Sequence, residues 1–199
     1  MKRPVVEAEF IPVRLRDLDS VTGELLVISL FDDEKPPTGL AGLVDWRMDG
    51  LLSRTRLAPD QGADPNPLYH GMVLGSFPAD FQEKLMFPVS HKLPFSNAIV
   101  VGMGEKDRFD TQAYRAMVST IVDAASHLKA NSMVLQLPGW QRAGIPARRA
   151  IEYFMESYLK RHQEGVTLPT RLCFVEHLEH QQEMAERIGE MLDPSGSRR

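Results

Sequence analysis

Three times between residues 98 and 192 the chain passes from a short apolar string, twice through a glycine or proline breaker, into a stretch whose apolar residues recur at helical spacing. Ala98-Ile99-Val100-Val101 ends in Gly102-Met103-Gly104, and Asp110 then precedes Ala113, Met117, Ile121, Ala124 and Leu128. Met133 to Leu137 is broken by Pro138-Gly139, and Pro146 opens a run bearing Ala147, Ala150, Ile151, Phe154 and Tyr158. Arg171 to Glu176 is followed by Leu178 to Leu192, with Met184, Ile188 and Met191 on one face. Strings this short and apolar suit strands buried on both faces, and the 3.6-residue period suits helices packing on them. Strand, helix, strand in succession demands crossover connections, so the second half dictates a mainly parallel sheet covered by helices.

The first half reads differently. Val5 to Leu15 alternates in part and Glu24 to Phe31 is a denser apolar run, with Asp17, Asp19, Ser20 and Gly23 between them, which predicts two strands joined by a turn. After Pro36, Pro37 and Gly39, the spacing of Leu40, Leu43, Val44, Met48, Leu51 and Leu52 predicts a helix over 39–54. Ala58 to Pro67, rich in Pro and Gly, is expected to be a surface loop, and Gly71 to Phe77 with Lys84 to Val89 a hairpin. The expected fold class is a three-layer α/β domain whose mixed, mainly parallel sheet carries antiparallel edges from these early strands.

With 199 residues and 43% of them hydrophobic, the chain can bury one sizeable core, so residues 1–192 are expected to form a single domain and 193–199 a disordered polar tail. A net charge of -4 gives no general electrostatic pull toward nucleic acid, whose phosphates need a clustered basic surface, so nucleic acid is not the expected partner. No apolar run approaches the ~20 residues that cross a bilayer, and no secretory apolar core follows Met1, so the expected location is cytoplasmic. Cys173, the single cysteine, stands among Leu172, Phe174 and Val175 and reads as an inert buried thiol.

The order Thr38-Gly39-Leu40-Ala41-Gly42-Leu43-Val44-Asp45-Trp46, then Ala98-Ile99-Val100-Val101-Gly102-Met103-Gly104, then Leu135-Gln136-Leu137-Pro138 resembles the amino-terminal domain of cytosol-type leucyl aminopeptidases. That resemblance implies a macro-like fold. It places the two-metal peptidase chemistry in a following domain, whose Asn-Thr-Asp-Ala-Glu-Gly-Arg stretch does not occur in this sequence. Peptidase activity, metal and cofactor are therefore not expected, and whether the chain is an enzyme of another kind stays open. Macro domains commonly bind ADP-ribose at glycine-bearing strand ends, which implies Gly39, Gly42, Gly139 and Gly144 as ligand-binding positions. The first of these loops lacks the usual run of glycines, and the second carries bulky Trp140, Gln141 and Arg142.

Residue by residue, Gly102 and Gly104 could offer backbone donors to an anion or simply turn the chain after a strand. Trp140 could stack on a base, anchor a partner or pack internally. Arg142, Arg148 and Arg149 surround a helix start, where cations oppose the dipole; with only Arg148 to Glu152 compensating at one-turn spacing, the excess favours an external anion. Asp45-Trp46-Arg47 shows no partner for carboxylate chemistry, His177 and His180 lack a further metal ligand, and no serine has a nucleophile-elbow context. Three functions follow in order: a non-catalytic module acting through protein contacts or self-association, an ADP-ribose or nucleotide-binding module, and a residual hydrolase of a phosphorylated or ADP-ribosylated substrate.

Overall fold

In the computed structural model, which describes residues 6–55 and 77–193, a six-stranded sheet has the order β1-β6-β5-β2-β4-β3. Its strands are β1 (Glu7–Ile11), β2 (Gly23–Leu30), β3 (Lys84–Pro88), β4 (Phe95–Gly102), β5 (Ser132–Leu135) and β6 (Arg171–Val175). Every neighbouring pair is parallel except β3 with β4. Among the described residues there are six α-helices, α1 (Leu15–Ser20), α2 (Gly39–Arg47), α3 (Leu51–Thr55), α4 (Thr111–His127), α5 (Ala147–Gln163) and α6 (Leu178–Leu192), and a 3-10 turn at Lys106–Arg108.

The side-chain alternation of the strands divides the core into two. Leu25, Val27, Ile99, Val101, Met133, Leu135, Leu172 and Phe174 point toward α4, α5 and α6, where Tyr114, Met117, Ile151, Phe154 and Met184 cover them. Leu26, Ile28, Ala98, Val100, Val134, Cys173 and Val175 point the other way, against Leu18 of α1, Leu40 and Val44 of α2, and Leu51 and Leu52 of α3. The three-layer α/β arrangement with a mainly parallel sheet is therefore the observed one. Local chemistry supports it: Asp110 caps α4 by accepting from the Ala113 N–H at 2.8 Å. The buried hydroxyls of Tyr114 and Tyr158 reach the carbonyls of Ala150 and Pro169, and burial raises both phenols above their ordinary range. The Cys173 thiol is pushed up to about 12, first by burial and then by the neighbouring Glu9, which agrees with an inert residue.

The first half departs from its sequence reading between the first two strands and in the first long helix. β1 and β2 are not joined by a turn as expected: Leu18, completely buried, anchors the intervening polar residues in helix α1, and β1 pairs in parallel with β6. The only antiparallel edge of the described sheet is therefore β3. The helix expected over 39–54 breaks at residues 48–50, where Asp49 and Gly50 adopt φ of 56° and 77°. Lys84–Pro88 pairs with β4; its expected partner lies, apart from Phe77, outside the described residues, as do the loop expected over 58–67 and residues 194–199 of the tail.

Candidate functional site

The carboxyl ends of β2, β4, β5 and β6 open onto one crevice of about 550 Å³. In a parallel sheet this is where loops can diverge and admit a ligand. Phe31 and Met103 form part of its floor, Gly39 and Leu40 bring the start of α2, Lys106 comes from the turn after β4, and His177 from the start of α6. The loop between β5 and α5 supplies Pro138, Gly139, Trp140, Gln141 and Arg142. A more open depression of about 790 Å³ lies beside Pro36, Trp46, Asp49 and His91, and none of the residues that follow β4, β5 or β6 lines it.

Backbone accounting shows what the β5–α5 loop offers. Its internal bonds run from its second half to its first: the N–H groups of Ala143, Gly144 and Ile145 donate to the carbonyls of Gly139, Gln141 and Trp140. Among the described residues, the N–H groups of Gly139, Trp140, Gln141 and Arg142 find no acceptor. Four successive open donors at a crevice are suited to an anion. Gly139 makes the turn with φ of 56°, and a Cβ there would come within 2.9 Å of both Phe31 and Phe109 ring carbons. Only glycine allows this loop to approach so closely.

The Gly39 side is partly committed. The Leu40 N–H donates to Gln136 Oε1 at 2.9 Å, and the Thr38 N–H donates to buried Glu34 at 2.7 Å, with the Thr38 hydroxyl on the same oxygen. Gly39 has φ of 55° and leaves its N–H without an acceptor among the described residues. Charge at the rim comes from Lys106 and Arg142. Arg142 Nε donates to the Lys106 carbonyl at 3.0 Å, and its guanidinium also pairs with Asp107.

Not every residue picked from sequence meets here. Gly42 sits inside α2, its N–H donating to the Thr38 carbonyl, and a Cβ would lie 2.7 Å from the Pro37 carbonyl oxygen, so its role is close packing. The proposed anion donors after β4 are all engaged: Gly102 N–H with Glu83 O, Met103 N–H with Leu30 O and Gly104 N–H with Ala79 O. Gly144 belongs to the β5–α5 loop but points to open space. Trp140 is 7% exposed, and its indole packs inward; the loop backbone, not the ring face, is what the crevice can use. The arginines that start α5 are also satisfied, contrary to the excess inferred from sequence spacing. Arg148 pairs with Glu190 of α6, while Arg149 pairs with Glu152 and lies over the Tyr153 ring at 4.4 Å.

Sequence reasoning missed two acidic residues. Glu34, 8% exposed, orders the entry to α2, and Glu176, 1% exposed, accepts from the Trp140 indole at 3.0 Å and from the His177 N–H at 2.9 Å. Nothing in the spacing of Trp140 and Glu176, 36 positions apart, announces their contact. No group of three or more His, Cys, Asp or Glu among the described residues could hold a metal ion, and no described helix is long and apolar enough to cross a membrane.

Residues 73–161 match the model of the cytosol aminopeptidase family N-terminal domain. A probable cytosol aminopeptidase from Cyanothece is 22% identical over 142 residues, covering 71% of this chain; the chain spans about a quarter of that relative's length. Among solved structures, a Trypanosoma brucei macrodomain in complex with ADP superposes with a TM-score of 0.65 at 14% identity, covering 95% of this chain and 78% of that one. An Oceanobacillus iheyensis macrodomain variant gives 0.64 at 11% identity over 98% of both chains, and a tomato leucine aminopeptidase gives 0.56 at 11% identity over 94% of this chain and 36% of that one. Sequence match and fold thus point the same way: residues 73–161 are similar to the N-terminal domain of the cytosol aminopeptidase family, and the chain is built as a macrodomain-like α/β unit.

Proposed function

We propose that this domain is a binding module for a nucleoside diphosphate of the ADP-ribose class, held in the crevice at the carboxyl ends of its parallel strands. The observation that carries the reading is the set of open backbone donors from Gly139 to Arg142. A diphosphate placed against them would gain charge-assisted hydrogen bonds, with Lys106 and Arg142 offsetting its charge. The macrodomain from Trypanosoma brucei, whose fold this chain shares, is a complex with ADP, and the Oceanobacillus iheyensis macrodomain is also found with ADP. Sequence alone ranked protein contacts first; the donor geometry moves ligand binding ahead of them.

The test is thermal unfolding across a concentration series of ADP-ribose, ADP and AMP, because a ligand that binds only the folded state raises apparent stability by mass action. A saturable rise, steeper for the two diphosphates than for AMP, is expected. Arg142→Ala should weaken the effect about tenfold, the scale of losing one charge-assisted contact. A flat response to all three would sink the reading.

Protein contact remains a second reading, favoured by Trp46, which is 69% exposed on α2, and Met86, 51% exposed on the edge strand β3. A sedimentation series that stays monomeric, together with no co-purifying protein, would remove it. Under either reading no amino acid should be released from leucyl peptides, even with added zinc or manganese.

A further inference from the structure

Glu176 ends the strand β6 side of the crevice and begins the turn into α6. It is 1% exposed and forms no ion pair among the described residues. An ionised group buried in this way is tolerable only when hydrogen bonds replace its water. Both oxygens are used: Oε2 accepts from the Trp140 indole N–H at 3.0 Å and Oε1 from the His177 N–H at 2.9 Å. The backbone is fixed too, with the Glu176 N–H donating to the Ile11 carbonyl and the Gln181 amide donating to the Glu176 carbonyl. His180 completes the arrangement by setting its ring edge-on to Trp140, with centroids 4.9 Å apart.

Trp140 is one of the four loop residues whose N–H groups stand open. Its carbonyl also accepts the Ile145 N–H that closes the loop. Holding the indole therefore fixes the orientation of the backbone donors on either side. An apolar residue at 176 would suit a buried strand end equally well for packing alone, and would leave the indole N–H unpaired.

We infer that Glu176 is a positioning residue: through its paired acceptors it clamps Trp140 and so pre-sets the Gly139–Arg142 donors for an anionic ligand. This rests on the diphosphate reading of the same crevice. The chemistry discriminates against the nearest substitute. Glutamine has the same shape but only one acceptor oxygen, so either Trp140 or His177 must face an NH₂ group.

The test uses the protein's two tryptophans. Trp46→Phe leaves Trp140 as the sole fluorophore and serves as the reference. In that background, Glu176→Gln should make Trp140 more accessible to acrylamide and weaken ADP-ribose binding about fivefold or more, the cost of one unpaired buried donor. Unchanged quenching overturns the clamp, and raised quenching with an unchanged Kd overturns its positioning role. Trp140→Phe keeps an aromatic ring, smaller than the indole, and removes the donor; a loss of affinity at least as large is expected, and it decides the question if Glu176→Gln does not fold. Should the reference protein bind no ADP-ribose, the diphosphate reading fails by itself, while quenching still decides whether Glu176 holds Trp140.

Discussion

The turn after β4 and the loop after β5 both place glycines at the carboxyl end of a central strand, and in sequence they send the same signal. They spend their backbone donors in opposite ways. Gly102, Met103 and Gly104 give all three N–H groups to carbonyls of the protein, whereas Gly139 to Arg142 give none to the described residues. A glycine after a strand thus marks a sharp or crowded turn; whether the turn can receive an anion depends on where its hydrogen bonds go. The first turn is crowded by the segment that enters β3, and the second is held from the side by Trp140 and Glu176.

The largest effect is expected at the closed turn. A Cβ on Gly102 would stand 2.2 Å from the Asp80 carbonyl oxygen and 2.5 Å from the Ala79 carbonyl group, all of it backbone that cannot swing aside. Gly102→Ala should cost about 3 kcal/mol in urea unfolding, the upper part of the usual range for overpacking. It should leave ADP-ribose affinity of the folded protein unchanged. A matching loss of affinity would show that the closed turn takes part in binding, and would erase the contrast between the two loops.

At the open loop the same substitution should act on both properties. Gly139→Ala would force a side chain into a left-handed conformation and against the edges of Phe31 and Phe109, which meet each other at right angles. Because these are side chains with some freedom, about 2 kcal/mol is expected, less than at Gly102. ADP-ribose binding should fall with it, since the four donors begin at this residue. Calorimetric titration of the variant at a temperature where it remains folded separates the two effects; full affinity would sharpen the site to Lys106, Arg142 and the start of α2.

The second half of the fold was legible because each unit repeats a strong local pattern. The residues 178–192 read as a helix are those of α6, and the strings at 98–101 and 171–176 fall within or beside β4 and β6. The first half was less legible because local polarity competed with one deeply buried side chain. Leu18 stands in α1 where a turn was expected, and positive φ at Asp49 and Gly50 split an otherwise continuous apolar stripe. At the site, the glycines announced which loops to examine. Hydrogen-bond destinations separated them, and these link residues far apart in sequence: Leu40 with Gln136, Trp140 with Glu176 and Arg148 with Glu190.

That last pairing supports the open loop from below, since Arg148 and Arg149 follow directly from it at the start of α5. Arg187 of α6 bridges Glu152 and Glu190, joining the two helices. Arg149 first, and then Arg187, holds the Glu152 carboxyl below its ordinary value of 4.5 despite partial burial. A carboxylate depressed in the folded state adds stability that is fully present above its unfolded pKa and is lost as pH falls through the lower folded value. The smallest of these effects is therefore an acid one. Glu152→Gln should change the melting temperature little near neutrality and flatten its decline below about pH 4.5, because a partly exposed network contributes modestly. If ADP-ribose affinity in the parent weakens over the same acid interval and the variant loses that dependence, the helix pair helps hold the loop open. An affinity that ignores Glu152 would leave that task to the Trp140 and Glu176 contact.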